Sequence, residues 1–207
     1  MRGMRRPHRA THPPGPPASA RVFPAAAARP SARARGAILT LNLTRYAAMT
    51  KPSNLVTSIT VAIDAPASVV WEVLTDFPRY GEWNTFCVGL ETTGRIGDFV
   101  YMQVRIPGTE TVIPVNEILV ACEPERLLSW EQRPTDANKD AARRDQYVEA
   151  DGAERCRYFT TDQFLGINAE TIMREHGGWV KQGFDQCARD VKQRAEALHA
   201  ARRRKSA

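Results

Sequence analysis

The feature that most constrains the fold is a series of six strand-like runs separated by turns or loops and not by helices. β-Branched, aromatic or alternating apolar residues fill the runs, and glycine, proline and acidic residues punctuate the series. The runs are Cys87–Thr92, Phe99–Ile106, Thr111–Cys122, Leu127–Gln132, Gln146–Ala150 and Arg155–Phe164. Parallel strands need long, usually helical crossovers, so this succession predicts an antiparallel sheet. The polar stretch Arg133–Asp145 has no apolar periodicity and is predicted to be an exposed loop.

One further strand and two short helices precede the series, and a long helix follows it. The β-branched run Leu55–Ile63 predicts the strand, and Pro66 suits the first turn of a helix that ends at Pro78. Residues Pro78–Asn84 form at most a short second helix. Near the end of the chain, Glu170–Ala200 predicts a long helix with one apolar stripe, which consists of Met173, Val180, Phe184, Cys187, Val191, Ala195 and Leu198.

The charge of the chain is unevenly distributed, and this argues against one class of partner. The net charge is +6, but nine arginines and no acidic residue lie in residues 1–50, and four basic residues lie in 201–207. Without these two ends the charge of residues 51–200 is −7. Because a nucleic-acid groove needs clustered positive charge on a folded surface, nucleic acid is not expected as a partner.

Several classes of site and location find no support in the sequence. The chain has no apolar stretch approaching the ~18–20 residues of a transmembrane helix. Its four cysteines are too far apart for a paired metal or redox motif, and so few cysteines are typical of reduced thiols in a cytoplasmic protein. Nucleotide-binding glycine motifs, zinc-protease histidine patterns and serine-nucleophile motifs are also missing, so neither a cofactor nor a metal is predicted.

The ends of the chain differ from its body. Residues 1–50 are rich in arginine, alanine and proline without hydrophobic periodicity, which predicts a disordered extension. Two alternatives are a mitochondrial transit peptide, which shares the arginine-rich, acid-free composition, and translation that begins at Met49. The prolines favour the non-targeting interpretations, because they break any amphipathic helix. Residues 201–207 are predicted to be a basic tail that closes the last helix.

Five short motifs of the body carry a family resemblance. They are Ile63–Phe77 (IDAPASVVWEVLTDF), Tyr80, Trp83-Asn84, Leu128-Ser129-Trp130 and Thr160–Gly166. Together they resemble the SRPBCC superfamily, which includes START, Bet v 1-like and polyketide cyclase/dehydrase proteins, and the bacterial polyketide-cyclase-like branch in particular. The resemblance implies an α+β helix-grip domain over residues 51–200. In this fold a curved antiparallel sheet of about six to seven strands wraps around the long C-terminal helix, with two short helices after the first strand.

The same resemblance implies an internal cavity between the sheet and the last helix. Strand alternation and the helical stripe then indicate which side chains of the earlier strands and of the last helix face this cavity. The resemblance itself implies that Trp83-Asn84 lies at the cavity mouth and that the inward face of Arg155–Phe164 lines the cavity. We expect a small hydrophobic molecule, ring-containing or acyl, as the partner. The predicted ligand-binding residues are Trp83, Asn84, Met102, Val104, Trp130, Tyr158, Thr160, Asp162, Phe164, Met173, Val180 and Phe184. For Trp83 the alternative is a purely packing role.

Tyr158 and Asp162 are the candidate catalytic residues. They share one face of a strand with Thr160, and burial raises the pKa of a carboxyl group unless a partner compensates. Asp162 and Tyr158 could therefore transfer protons on a carbonyl ligand, which is the chemistry of a cofactor-independent cyclase or dehydratase. The alternative is a structural network in which these side chains hydrogen-bond to each other, to water or to the helix. His176, beside Gly177-Gly178, either flanks the cavity entrance or is simply exposed.

Overall fold

The computed structural model describes residues 54–206. Eight antiparallel strands form one sheet: β1 (Leu55–Thr57), β2 (Val61–Ile63), β3 (Cys87–Glu91), β4 (Phe99–Arg105), β5 (Val112–Glu123), β6 (Leu127–Gln132), β7 (Ala141–Ala150) and β8 (Cys156–Leu165). The helices are α1 (Ala67–Thr75), a 3-10 turn (Phe77–Arg79), α2 (Tyr80–Trp83) and α3 (Ala169–Ser206). The predictions for residues 1–50 lie outside the described residues.

The curved sheet and α3 enclose the core, as the α+β helix-grip prediction required. The strand order is β1-β8-β7-β6-β5-β4-β3. β2 also pairs with β8, opposite residues 156–158, whereas β1 pairs with residues 161–163. On β4 the alternate residues Val100, Met102 and Val104 are buried while Tyr101 and Gln103 are exposed, which confirms the predicted alternation. The buried stripe of α3 faces the same core and consists of Val180, Phe184, Cys187, Val191 and Ala195.

The first predicted strand is divided in two by a bulge. Thr57 pairs with Thr161 of β8, and Val61 pairs with Tyr158. Between these two pairs, the three residues 58–60 therefore face only the two residues 159–160 of β8, which is the arrangement of a bulge. Within the interruption, the Ile59 amide donates a hydrogen bond to Asp185 of α3 at 2.7 Å. The bulge therefore ties the sheet edge to the long helix.

The prediction of a loop over Arg133–Asp145 is wrong for its last five residues. β7 begins at Ala141, five residues before the start of the predicted strand. Residues 141–145 pair with β8 on one side, and residues 142–145 also pair with β6 on the other side. The error has a physical cause: Arg144 and Gln146 lie on the buried face of β7, where apolar side chains are expected. Pairing on both sides stabilises a strand whose sequence lacks apolar alternation.

The long helix extends further than predicted. α3 runs without interruption through Gly177-Gly178 and includes the basic residues Arg202–Lys205. Arg202 donates two hydrogen bonds, of 2.6 and 2.7 Å, to the carboxylate of Glu72 on α1. This ion pair between α1 and the end of α3 helps the helix to continue past the predicted end.

Candidate functional site

A cavity of about 430 Å³ lies between the sheet and the N-terminal half of α3. Its walls are mainly apolar and come from the five strands β4 to β8 and from α3. Seven of the predicted ligand-binding residues line it: Met102, Val104, Trp130, Asp162, Phe164, Val180 and Phe184. The volume falls in the range of ~300–1,000 Å³ that is common for small-molecule sites.

The other five predicted residues do not line this cavity. Trp83 packs on Tyr80, with ring centroids 4.9 Å apart, and borders a small surface cleft beside α1. The Asn84 side chain turns towards its own backbone, where Oδ1 accepts hydrogen bonds from the amides of Phe86 and Cys87 at 3.1 and 2.7 Å. Met173 is partly buried and lies against Gly177.

Tyr158 and Thr160 share the inward face of β8, but they lie deeper than the cavity. The Tyr158 hydroxyl donates a hydrogen bond to Gln146 Oε1 at 2.9 Å, and the Thr160 hydroxyl donates one to the Asp145 carbonyl at 2.9 Å. Both side chains are fully buried. Among the described residues no hydrogen bond joins Tyr158 to Asp162, so the direct bond between them that the structural alternative included is absent.

The charged centre of the site is Arg144, which sequence reasoning missed. In the sheet it stands directly between Trp130 on β6 and Asp162 on β8. Cross-strand neighbours point to the same face of a sheet, so these three side chains form a row. The polar segment around Arg144 gave no apolar alternation, and only strand pairing places its side chain inside.

The guanidinium of Arg144 is held without an ion-pair partner. Nε donates to the Thr160 hydroxyl at 3.1 Å, and Nη2 lies 3.5 Å from Gln146 Oε1 and from Cys187 Sγ. The central carbon of the guanidinium, Cζ, lies 4.3 Å from the centre of the Phe184 ring, which is a cation–π distance. Within residues 54–206 no carboxylate oxygen comes within 4.0 Å of its nitrogens. Since arginine does not deprotonate in proteins, the cavity carries one permanent positive charge.

Two of the three carboxyl residues that line the same cavity, Asp162 and Glu117, have raised pKa values. Burial raises the pKa of Asp162 to about 7, although Arg144 opposes the shift. Burial and the nearby Asp162 raise the pKa of Glu117 to about 8. Glu117 Oε2 is buried and has no hydrogen-bond partner among the described residues. Near neutral pH this pair can therefore hold or release protons inside an apolar chamber.

Sequence reasoning also missed Glu117, although a signal was present. Glu117 lies on β5 in alternation with Ile113, Val115 and Leu119, all of which are at least partly buried. A single acid on the apolar face of a strand is energetically costly and is therefore a reason to expect a function there.

One end of the cavity meets the surface at the first turns of α3. His176 is exposed and also lines the cavity, together with Ile172 and Trp179. The Trp179 indole N–H donates a hydrogen bond to His176 Nδ1 at 3.2 Å. The prediction that His176 flanks an entrance and the prediction that it is exposed are therefore both compatible with its position.

The family of the chain follows from its sequence and agrees with this architecture. Residues 55–196 match the family described as polyketide cyclase / dehydrase and lipid transport. The chain belongs to this family. The match includes every strand of the grip and most of α3, so the resemblance seen in the short motifs is confirmed.

Solved structures of similar proteins show the same fold. The Zhui aromatase/cyclase from a Streptomyces species is 21% identical, with a TM-score of 0.55, over 71% of this chain and 96% of that one. A START superfamily protein from Mycobacterium smegmatis is 14% identical, with a TM-score of 0.51, over 71% and 97%. At these identities the likeness concerns the fold alone. Among curated proteins, none matches this sequence significantly.

Residues 54–206 contain neither a candidate metal-binding cluster nor a candidate membrane-spanning helix. Across residues 54–206 no three histidine, cysteine, aspartate or glutamate side chains are grouped so that they could hold a metal ion. None of the helices in that range combines the length and the apolar character that a membrane span requires.

Proposed function

We propose that this protein binds a small apolar ligand, ring-containing or acyl, in the cavity between the sheet and α3. The observation that carries the proposal is the combination of apolar walls with one buried guanidinium that lacks an ion-pair partner among residues 54–206. A pocket of this kind binds the apolar body of a ligand through its walls and orients the molecule through few polar groups.

Arg144 indicates what the polar end of the ligand is. A guanidinium donates hydrogen bonds and accepts none, so it selects a carbonyl or carboxylate oxygen. Trp130 and Phe184 flank the guanidinium at 5.6 and 4.3 Å and offer flat apolar surfaces to a ring beside it. We therefore expect an oxygen-bearing ring system or a fatty acyl compound. The lipid-transport part of the family description supports this choice.

The proposal predicts that filling the cavity abolishes ligand uptake. Ala142 lines the cavity, and Ala142→Phe places a ring in the space that the ligand needs. We expect this variant to bind the neutral fluorophore N-phenylnaphthylamine about tenfold more weakly. Fluorescence titration measures the affinity, and native mass spectrometry of the freshly purified protein identifies any retained ligand.

Ala62→Phe is the matched control, because Ala62 is exposed on β2. This variant should bind the fluorophore as the unaltered protein does, and circular dichroism should show both variants to be folded. Equal affinity in the two variants, or no uptake by the unaltered protein, contradicts the proposal.

A second candidate function is cyclase or dehydratase chemistry, which the carboxyl groups of Asp162 and Glu117 in the cavity favour. Asp162 can accept a proton from a carbon beside a carbonyl group, while Arg144 stabilises the negative charge that develops on the carbonyl oxygen. Glu117 replaces Tyr158 as the second candidate proton carrier, since the Tyr158 hydroxyl is bonded to Gln146 below the cavity.

Deuterium exchange of a β-dicarbonyl compound, followed by nuclear magnetic resonance, tests this candidate. If Asp162 is the base, the rate rises with pH through about 7, because only the carboxylate accepts the proton. Asp162→Asn should remove this rise, and the exposed turn variant Asp151→Asn should keep it. Exchange that is unchanged in both Asp162→Asn and Glu117→Gln contradicts a catalytic role.

The cytoplasm is the proposed location. All four cysteines are free thiols, and three of them are buried, which suits a reducing compartment.

A further inference from the structure

A second concavity of about 510 Å³, here called the outer groove, lies against Phe86. It runs between the turn after β4 and the middle of α3, and the residues that matter below are Thr85, Phe86, Arg105, Asp185, Gln186 and Arg189. Phe86 also lines the apolar cavity, so its ring is a wall common to both spaces. The outer groove is the more polar of the two.

Two arginines of the outer groove have guanidinium groups that are free to bind. Arg105 Nε is buried and has no hydrogen-bond partner among residues 54–206. The nearest carboxylate, that of Glu110, is 3.9 Å away and 96% exposed, and such surface pairs contribute little. In the described part of the chain Arg189 forms no ion pair, and it is exposed on α3.

The acidic residues next to these arginines are already engaged. Asp185 accepts hydrogen bonds from Lys181, at 2.6 Å to each carboxylate oxygen, and from the Ile59 amide. Asp190 accepts hydrogen bonds from the amide and the hydroxyl of Thr85 and from Gln186, all within 2.9 Å. Lys181 neutralises the charge of Asp185, whereas the donors to Asp190 are uncharged and occupy its oxygens without removing its negative charge. Because Asp190 does not line the groove, Arg105 and Arg189 supply the uncompensated charges of the lining.

We propose that the outer groove binds an oxyanion, a phosphate or carboxylate group, between Arg105 and Arg189. Guanidinium groups present paired N–H donors in a geometry that fits two oxygens of such a group. Arg105 supplies N–H donors from a side chain that is 41% exposed, and Arg189 supplies further donors from the facing helix. The anion is either free in solution or the end of a longer molecule.

The Phe86 ring, which is a wall of both spaces, is the reason why the anion can be the end of a longer molecule. The Phe86 ring is buried, packs edge-on against Phe184 at 5.7 Å, and separates the arginines from the apolar cavity by the thickness of one side chain. An amphiphile with an anionic end occupies both spaces if its binding displaces the Phe86 ring from this wall. Binding of a free anion does not depend on the function proposed for the cavity.

Titration of the full chain with inorganic phosphate, followed through the arginine Nε–H signals by nuclear magnetic resonance, tests the proposal. We expect saturable shifts of two arginine signals, which Arg105→Gln and Arg189→Gln identify, and about tenfold weaker binding in each variant. Arg95→Gln is the control, because Arg95 is also exposed and forms no ion pair within residues 54–206. Shifts that do not saturate, or equal affinities in all three variants, overturn the proposal.

Dodecyl phosphate distinguishes the two sources of the anion. If the groove receives the end of a cavity ligand, this amphiphile binds more tightly than phosphate, and Ala142→Phe removes the difference. If the groove takes a free anion, the two affinities are alike. Both results require Arg105 and Arg189, and dodecyl phosphate binding that is insensitive to Arg105→Gln and Arg189→Gln contradicts the proposal.

Discussion

Replacing Arg144 by methionine is expected to weaken binding of the anionic fluorophore anilinonaphthalene sulfonate by at least about a hundredfold. Methionine fills a similar volume without charge, so the change removes the one arginine or lysine that lines the cavity among residues 54–206. The loss is large because a charge-assisted contact in a desolvated site has no competition from water. Fluorescence titration of the two proteins at one pH measures it.

Two controls separate the charge of Arg144 from its packing. The neutral analogue N-phenylnaphthylamine should bind the variant almost unchanged, since it needs only the apolar walls. Arg143→Met changes the neighbouring arginine, which lies on the other face of β7 and pairs with Asp145 at 3.0 Å, and should leave both affinities unaltered. An Arg144→Met protein that loses both fluorophores equally contradicts the assignment of Arg144 to the polar end of the ligand.

Most of the grip fold could be predicted from the sequence because its elements obey simple periodicities. β6 was predicted with its observed bounds, Leu127–Gln132, and the buried stripe of α3 follows the helical repeat. Asp151-Gly152, a dipeptide typical of hairpin turns, lies between β7 and β8, which pair as an antiparallel hairpin. Local sequence carries this information, since each strand or helix shows its apolar face within a few residues.

The site could be predicted in its apolar part and at Asp162, but not at Arg144 or Glu117. Met102, Val104 and Phe164 follow the alternation of their strands, whereas Arg144 breaks the alternation of β7 and hides the start of that strand. Its position depends on pairing with Trp130 and Asp162, which are 14 and 18 residues away in sequence. For Tyr158 the predicted inward orientation is correct, but the residue does not line the cavity. Strand alternation shows which face a side chain is on and does not show how deep it lies beneath the helix.

Gly183→Ala is expected to lower the free energy of unfolding by about 2 kcal/mol, although alanine favours helices more than glycine does. A Cβ atom at this position in α3 lies 2.2 Å from two ring carbons of Phe86. The ring is buried and packs on Phe184 and Trp179, so it moves only by disturbing the wall of the cavity. Denaturant unfolding followed by circular dichroism gives the change.

Gly178→Ala provides the comparison within the same helix, because a Cβ atom at Gly178 meets no atom within 4 Å. That variant should gain up to about 1 kcal/mol from helix propensity, so the two alanines should shift stability in opposite directions. Phe86→Leu in the Gly183→Ala background should restore part of the loss, since the smaller side chain leaves room for the new methyl group. Two alanine variants of equal stability, or a double variant that is no better than Gly183→Ala, would show that the close approach of Phe86 to α3 does not hold this wall in place.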